Sequence, residues 1–529
     1  MSELNPRIRW ISGGALLGAS VLVAASLTAV PATAEPVTND RVVAQKKKPK
    51  EGTVQGVYEH LIELEEIGDA HGTRSSGTPG YEASVDYVMQ RLRKAGYKPV
   101  KQAFEFPFFE RTGPSTFEQT APTSTTFEEG VDYALMTYSG SGDVTAPVEG
   151  VDLSLANPAG STSGCEASDF AGFEAGKIAL IQRGACAFGQ KVTNATAAGA
   201  VGVIIFNTGT PGNTEAFAGT LGTPVENAGP AIGTSFAIGQ ALAADGVEVH
   251  LAASTTVDIR TTWNVIAETK QGNAKNVVMA GAHLDSVTEG HGINDNGSGS
   301  AALLETAEAV ADMKPKPKNK VRFAWWGAEE FNLLGSAHYV TDLAENHPDL
   351  FQRIALYLNF DMVGSPNYML GVYDGDDSLG AGTEPPEGSA AIETLFHSFF
   401  DKLGTGSVDT VFSGRSDYGP FIARNVPAGG LFTGAEGVKT PEEAALFGGT
   451  AGEAYDECYH AACDDLGNVS RAALTANTAA MLHAVKTYAK STRTVNGKRT
   501  GHEPPPDAAR SARRTASKVA SHEHLGAVR

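Results

Sequence analysis

Cysteine is scarce in this chain, positive charge is sparse through its body, and long apolar runs are confined to one end. The 529 residues contain four cysteines, Cys165, Cys186, Cys458 and Cys463. Neither neighbouring pair has CxxC spacing, which argues against a structural zinc site built from thiolates. An even count in a chain that carries an export signal points to two disulfides, with the local pairing Cys165–Cys186 and Cys458–Cys463. Residues 51–490 hold 26 Lys and Arg against 55 Asp and Glu. A body with a net charge of −29 repels phosphate backbones, which excludes nucleic acid as a partner and leaves cations, metal ions and amino termini. Charged residues make up 19% of the chain and hydrophobic ones 41%, the balance of a globular protein. No stretch beyond the first thirty residues looks transmembrane.

The two ends differ from the body. Arg7 and Arg9 precede an apolar run from Ile11 to Val30, and Pro31-Ala32-Thr33-Ala34 follows. This pattern predicts a signal peptide over 1–34, cleaved after Ala34, with no stable membrane insertion afterwards; the alternative is an uncleaved anchor. No cysteine lies near the cleavage point, which argues against a lipid anchor. Residues 35–52, with Lys46-Lys47-Lys48-Pro49-Lys50, read as a solvated arm. Residues 491–529 are basic and poor in apolar side chains, and read as a disordered tail. The expected location is secreted and extracellular, with a tail able to hold to anionic cell surfaces.

Between these ends the pattern is that of an α/β protein, long enough for more than one domain. A helix is expected from Thr53, with Val57, Leu61 and Leu64 at helical spacing. A second covers Tyr81–Ala95, with Val85, Val88, Leu92 and Ala95 on one stripe and Gly96 ending it. Tyr97–Phe106 reads as a strand. Residues 111–145 are then rich in Thr, Ser, Pro and Gly. A separate unit follows, with strands at Lys177–Gln182 and Val201–Asn207, a helix at Lys191–Ala198, and Ala228–Ile232 before a further helix. Residues 257–269 return to a strand pattern expected to pair beside Val277–Ala282. The division is therefore a main domain of 53–115 and 258–490 interrupted by an insert of 116–257. After the insert, helices at Gly299–Met313 and Asn332–Glu345 alternate with strands at Val321–Trp326 and Ile354–Phe360. Such alternation predicts a doubly wound, mainly parallel sheet with helices on both faces.

Four segments place ligand-type side chains where strands would leave that sheet, the position at which open α/β sheets form sites. The first gives His283, Asp285 and Asp295; the second, Glu329 and Glu330; the third, Asp361; the fourth, His460 between two cysteines. One such residue is ordinary, since a lone Asp often caps a helix and paired Glu often start one. Two His and three carboxylates together are the ligand set of two divalent ions about 3.5–4 Å apart. Imidazole with carboxylate favours zinc, with manganese or cobalt also chemically suited. Of two adjacent glutamates, one is expected to bind an ion and the other to take a proton from the water shared between the ions.

The blocks GAHLDSV, GINDNGSGSAALLE, FAWWGAEEFNLLGSAHYV, YLNFDMVGSPN, GRSDYGPF, VPAGGLFTGAEG and CYHAACD resemble the secreted bacterial dizinc leucyl aminopeptidases of metallopeptidase family M28, also called the aminopeptidase Y family. The segments GCEASDF and ALIQRGACAFGQKVTNATAAGAVGVIIFN resemble a protease-associated domain, a small α/β module that usually serves as a lid or interaction unit. The resemblance implies two zinc ions, with His283 and Asp361 on one, Glu330 and His460 on the other, and Asp295 bridging. It implies Glu329 as general acid/base, Asp285 orienting His283, and Tyr459 stabilising the oxyanion. Met362 and Phe432 would line the pocket for an apolar N-terminal side chain, and Arg415 would contact substrate. The implied enzyme is a monomeric aminopeptidase that removes residues such as Leu from peptide or protein N-termini through a bridging hydroxide. A carboxypeptidase or dipeptidase on the same scaffold and a catalytically silent receptor are the rival readings. Some relatives bind calcium shortly after the disulfide-bound His; Thr475 and Ala479 stand there in this chain, so calcium dependence is not implied. His291, His338 and His397 fall outside the ligand pattern and read as loop or surface residues.

Overall fold

The computed structural model describes residues 54–156 and 160–497. The signal peptide, the Lys-rich arm and the tail beyond residue 497 lie outside the described residues. Residues 491–497, assigned to the tail from composition, instead pack onto the body. A short helix spans Arg493–Asn496, Val495 is buried, and Asn496 donates to the Ala355 carbonyl at 2.7 Å. Low apolar content did not reveal one anchoring valine and one amide.

The main sheet has eight strands: β1 (Val100–Arg111), β2 (Thr255–Glu268), β3 (Asn273–His283), β4 (Asn319–Trp326), β5 (Ile354–Phe360), β6 (Gly371–Tyr373), β7 (Val408–Thr410) and β8 (Ala428–Phe432). Their order is β1-β2-β4-β3-β5-β8-β6-β7. The central β4, β3, β5 and β8 run parallel to one another, and β2 is antiparallel to β4. The expectation that 257–269 pairs beside Val277–Ala282 is therefore corrected. β4 lies between them, because β3 and β4 are joined as a parallel pair through a helical crossover, which leaves β2 the outer edge of β4.

Helices cover both faces, and period-two alternation divides the strand residues between them. Val278, Ala280, Val321, Phe323, Trp325, Leu356, Leu358 and Leu431 face one core. That core also takes residues from α1 (Val54–His71), α2 (Pro79–Lys94), α3 (Gly299–Ala311), α5 (Ser389–Leu403) and α6 (Arg471–Lys490). Met279, Ala324, Trp326, Tyr357 and Ala428 face the other, under α4 (Leu334–Asn346) and the short helix Tyr418–Ile422. The predicted stripes lie inward, with Val57, Leu61, Leu64, Val85, Val88 and Leu92 all buried. Thr78 caps α2 by accepting from Tyr81 N, with Pro79 at the first turn and Gly96 left-handed just past the end, as helix-end chemistry favours. Gly281 leaves room for the hydrogen-bonded Trp326–Tyr357 pair, whose atoms lie 2.4–2.6 Å from where a β-carbon would stand.

β1 and β2 pair antiparallel along their whole length, from Val100 opposite Ile266 to Arg111 opposite Thr255. A second eight-stranded sheet arises from the chain between them. Its parallel centre contains Ile178–Gln182, Gly202–Phe206 and Ala231–Thr234, with the helix Phe188–Ala197 following the first of these. Cys165 and Cys186 are bonded, with Cα atoms 5.8 Å apart. Beside them Lys191 is buried, donating to the carbonyls of Ser163 and Gln182. No helix among the described residues is long and apolar enough to cross a membrane.

Candidate metal centre

Three of the parallel strands stop at one edge of the sheet, and each delivers a polar side chain there. His283 is the last residue of β3, Asp361 follows β5, and Glu329 and Glu330 follow β4 after Gly327-Ala328. Asp295 returns on the turn before α3, and His460 enters from the loop closed by Cys458–Cys463. His283 Nε2 lies 3.2 Å from both Asp361 Oδ1 and Asp295 Oδ1. His460 Nε2 lies 3.1 Å from Glu330 Oε2 and 3.3 Å from Asp295 Oδ2. The two oxygens of Asp295 thus face two different imidazoles.

These groups line a cavity of about 310 Å³ together with Met362, Phe432, Arg415 and Tyr459. Every sequence-predicted site residue but Asp285 reaches it; Asp285 is fully buried behind. Asp285 is expected to orient His283, and it stands beside that imidazole. The closer contact to His283 Nδ1 is its main-chain carbonyl, at 3.1 Å, against 3.7 Å for its carboxylate. The carboxylate also accepts the Glu329 main-chain N–H at 3.3 Å, because the loop after β4 passes directly over it. Tyr459 stacks on His460 with centroids 3.8 Å apart, and its hydroxyl accepts from Arg415 at 3.0 Å. Arg415 also pairs with Glu436 at 2.6 Å at the exposed rim. His291 lies beside Glu65, His338 stacks on Phe104, and His397 stands on α5; none reaches the cavity.

Burial and charge crowding set the protonation chemistry. Burial pushes the Glu329 carboxyl well above its ordinary range, with Asp361, Asp417 and Glu330 adding to the shift against the opposing pull of His283. Burial and then Asp295 bring Glu330 up to about 7. Burial pulls the imidazoles down, but Glu329 and Asp361 outweigh it at His283, and Glu330 and Asp295 hold His460 up at about 11. Burial raises Tyr459, so its hydroxyl keeps its proton at neutral pH.

The residues present fit bound metal. Four carboxylates and two imidazoles converge, and Glu330 Oε1 is buried without a hydrogen-bond partner among the described residues. Such an excess of buried negative charge is costly without a cation.

Sequence reasoning missed the groups that fix these ligands. Ser416 donates to Asp361 Oδ2 at 2.5 Å. Asp464 accepts the main-chain N–H groups of Asn294 and Asp295 at 2.8 and 2.9 Å. Arg74, fully buried, donates to the carbonyls of Leu284, His291 and Gly292 and so grips the loop between His283 and Asp295. Burial raises the neighbouring Asp417 to about 8. Ser416, Asp417 and Asp464 lie inside the quoted blocks, which was their available signal; Arg74 had none.

Residues 264–485 match the model of peptidase family M28 and residues 145–242 that of the PA domain. An aminopeptidase of Pseudomonas aeruginosa is 50% identical over 446 residues, spanning 83% of this chain and 82% of that protein. The chain belongs to peptidase family M28. Leucine aminopeptidase 2 of Trichophyton tonsurans is 43% identical over 450 residues, covering 83% of this M28 peptidase and 86% of the fungal protein. Among solved structures, the aminopeptidase from Aneurinibacillus sp. strain AM-1 superposes with a TM-score of 0.60 at 27% identity, covering 86% and 97% of the two chains. BSAP, a zinc aminopeptidase from Bacillus subtilis, gives 0.55 at 26% identity, covering 84% and 97%. The M28 fold and its PA insert are thus those expected from the sequence.

Proposed function

We propose that this M28 peptidase is a secreted, monomeric zinc aminopeptidase that removes large apolar residues such as Leu from peptide N-termini. The observation that carries the reading is the single carboxylate, Asp295, whose two oxygens each face a different imidazole. In this reading His283 and Asp361 would hold one zinc ion, Glu330 and His460 would hold a second, and Asp295 would be shared between them. Zinc so held would polarise the scissile carbonyl and bring the pKa of a water toward neutrality. Glu329 takes the proton of the attacking water and returns it to the leaving amine, and burial, which raises its carboxyl above the ordinary carboxylate range, favours its holding that proton between the two halves of the exchange. Tyr459, still protonated, donates its hydroxyl to the developing oxyanion, and Arg415 holds that hydroxyl in place. The acid-lined end of the cavity, with Glu329 and Asp361, receives the free α-amino group. Met362, Phe432, Met369 and Tyr373 line it and offer an apolar seat to the first side chain. The domain division proposed is 53–115 with 258–490, interrupted by 116–257.

A panel of aminoacyl nitroanilides assayed with and without a chelator tests the proposal. Leucyl hydrolysis that a chelator abolishes and zinc restores is the expected result. Hydrolysis indifferent to chelation, or none of any aminoacyl substrate, would sink it.

A further inference from the structure

We propose that a second divalent-cation site lies outside the cavity, formed by Glu393 and His397 on α5 and Asp409 on β7. Glu393 and His397 stand four residues apart on one helix, the spacing that puts two side chains on the same face. His397 Nε2 lies 2.8 Å from Asp409 Oδ1 and 3.7 Å from Glu393 Oε1. Ligands at ordinary zinc distances in a tetrahedral site stand about 3.4 Å from one another, and the two distances bracket that separation. His397 Nδ1 is 2.7 Å from Ser407 Oγ. A ligating imidazole is commonly oriented by such a bond on its other nitrogen.

Charge supports the same conclusion. Asp374, which follows β6, and Asp376 each bring a carboxylate oxygen within 4.8 Å of Glu393. Glu393 is 8% exposed, and its carboxyl is raised by burial first and then by Asp376 and Asp409. Among the described residues none of these four carboxylates forms an ion pair with Lys or Arg. His397 is the sole counter-charge they meet within ion-pair distance, so even a protonated imidazole leaves the group strongly negative. Glu308, by contrast, is met by an arginine, accepting from Arg91 through two bonds of 2.8 and 2.9 Å. Imidazole with carboxylate oxygen suits zinc or manganese.

Its place in the fold gives the site a role distinct from chemistry. Asp374 directly follows Tyr373, and Asp409 precedes Thr410 and Val411. Tyr373, Thr410 and Val411 line the cavity. An ion here ties α5 to β7 at the sheet's edge, bracing one wall of the cavity without touching the reacting atoms.

The test compares three forms of the full chain: wild type, Asp409→Asn/His397→Gln, and His283→Ala/His460→Ala. Each is stripped with a chelator, equilibrated with excess Zn2+ (in parallel, Mn2+), freed of unbound ion by gel filtration and analysed for metal per chain. The outer variant should hold one ion fewer than wild type, melt at lower temperature in the presence of metal, and hydrolyse leucyl nitroanilide at the wild-type rate. The cavity variant should still hold the outer ion. Equal metal content in wild type and outer variant would overturn the proposal, as would a cavity variant left with no ion. Asp409→Asn alone, which keeps the side-chain shape, serves if the double variant does not fold. A cavity variant that keeps every wild-type ion would count against the catalytic assignment and not against this site, so the two fail separately.

Discussion

At the scale of single residues, environment separates two adjacent glutamates. Glu330 Oε2 points at His460, 3.1 Å away, whereas the nearest imidazole nitrogen to Glu329 is His283 Nε2 at 3.9 Å. Glu329 is therefore free to carry a proton. Glu329→Gln, which keeps size and burial, should lower kcat by about 10²–10⁴, the usual contribution of a positioned general base. Its zinc content should stay at the wild-type value, measured by elemental analysis alongside nitroanilide kinetics. The ligand set was legible because His, Asp and Glu after an apolar run are visible in a string. What Asp285 does was not: whether a residue acts through its carboxylate or its carbonyl depends on backbone direction, which spacing does not encode.

At the scale of elements, the site depends on holding two loops against each other. Asp464 sits just past the Cys458–Cys463 loop that carries His460, yet accepts from the main chain on both sides of the Asn294–Asp295 bond. Asn468 donates to the same carboxylate at 3.1 Å. Asp464→Asn would replace an acceptor oxygen with a donor facing an N–H. Zinc affinity should then fall about 10–100-fold, as for other groups that orient ligands; competition against a metallochromic chelator measures it. The insert offers a separate check, through pH. Burial brings the Lys191 ammonium down to about 8 from 10.5. Below about 8 both folded and unfolded chains bind that proton, and the buried charge costs stability in full. Between about 8 and 10.5 the folded state releases it first, so stability rises with pH through that window. Wild type should gain melting temperature relative to Lys191→Met as pH goes from 8 to 10, and parallel curves would contradict the assignment. Element identity was largely readable, because buried parallel strands and capped amphipathic helices leave local patterns. The neighbour of β2 was not readable, since strand pairing across a crossover is a long-range choice.

At the scale of the whole molecule, net charge, fold and site agree. A body carrying −29 between residues 51 and 490 favours cations and amino termini, and the most crowded carboxylates sit where the parallel strands end. The insert rises from the β1–β2 ribbon ahead of every catalytic block, which is why those blocks run uninterrupted from residue 281 to residue 464. The central claim is that this edge of the sheet cleaves from a free amino terminus by means of bound metal. The most direct measurement compares a leucyl peptide with its N-acetylated form, each assayed with metal-loaded, chelated and zinc-restored enzyme. The account predicts that the free peptide loses its first residue in the loaded and restored states only and that the acetylated peptide is left intact throughout. Cleavage of the acetylated peptide at a comparable rate, or cleavage that survives chelation, would contradict it.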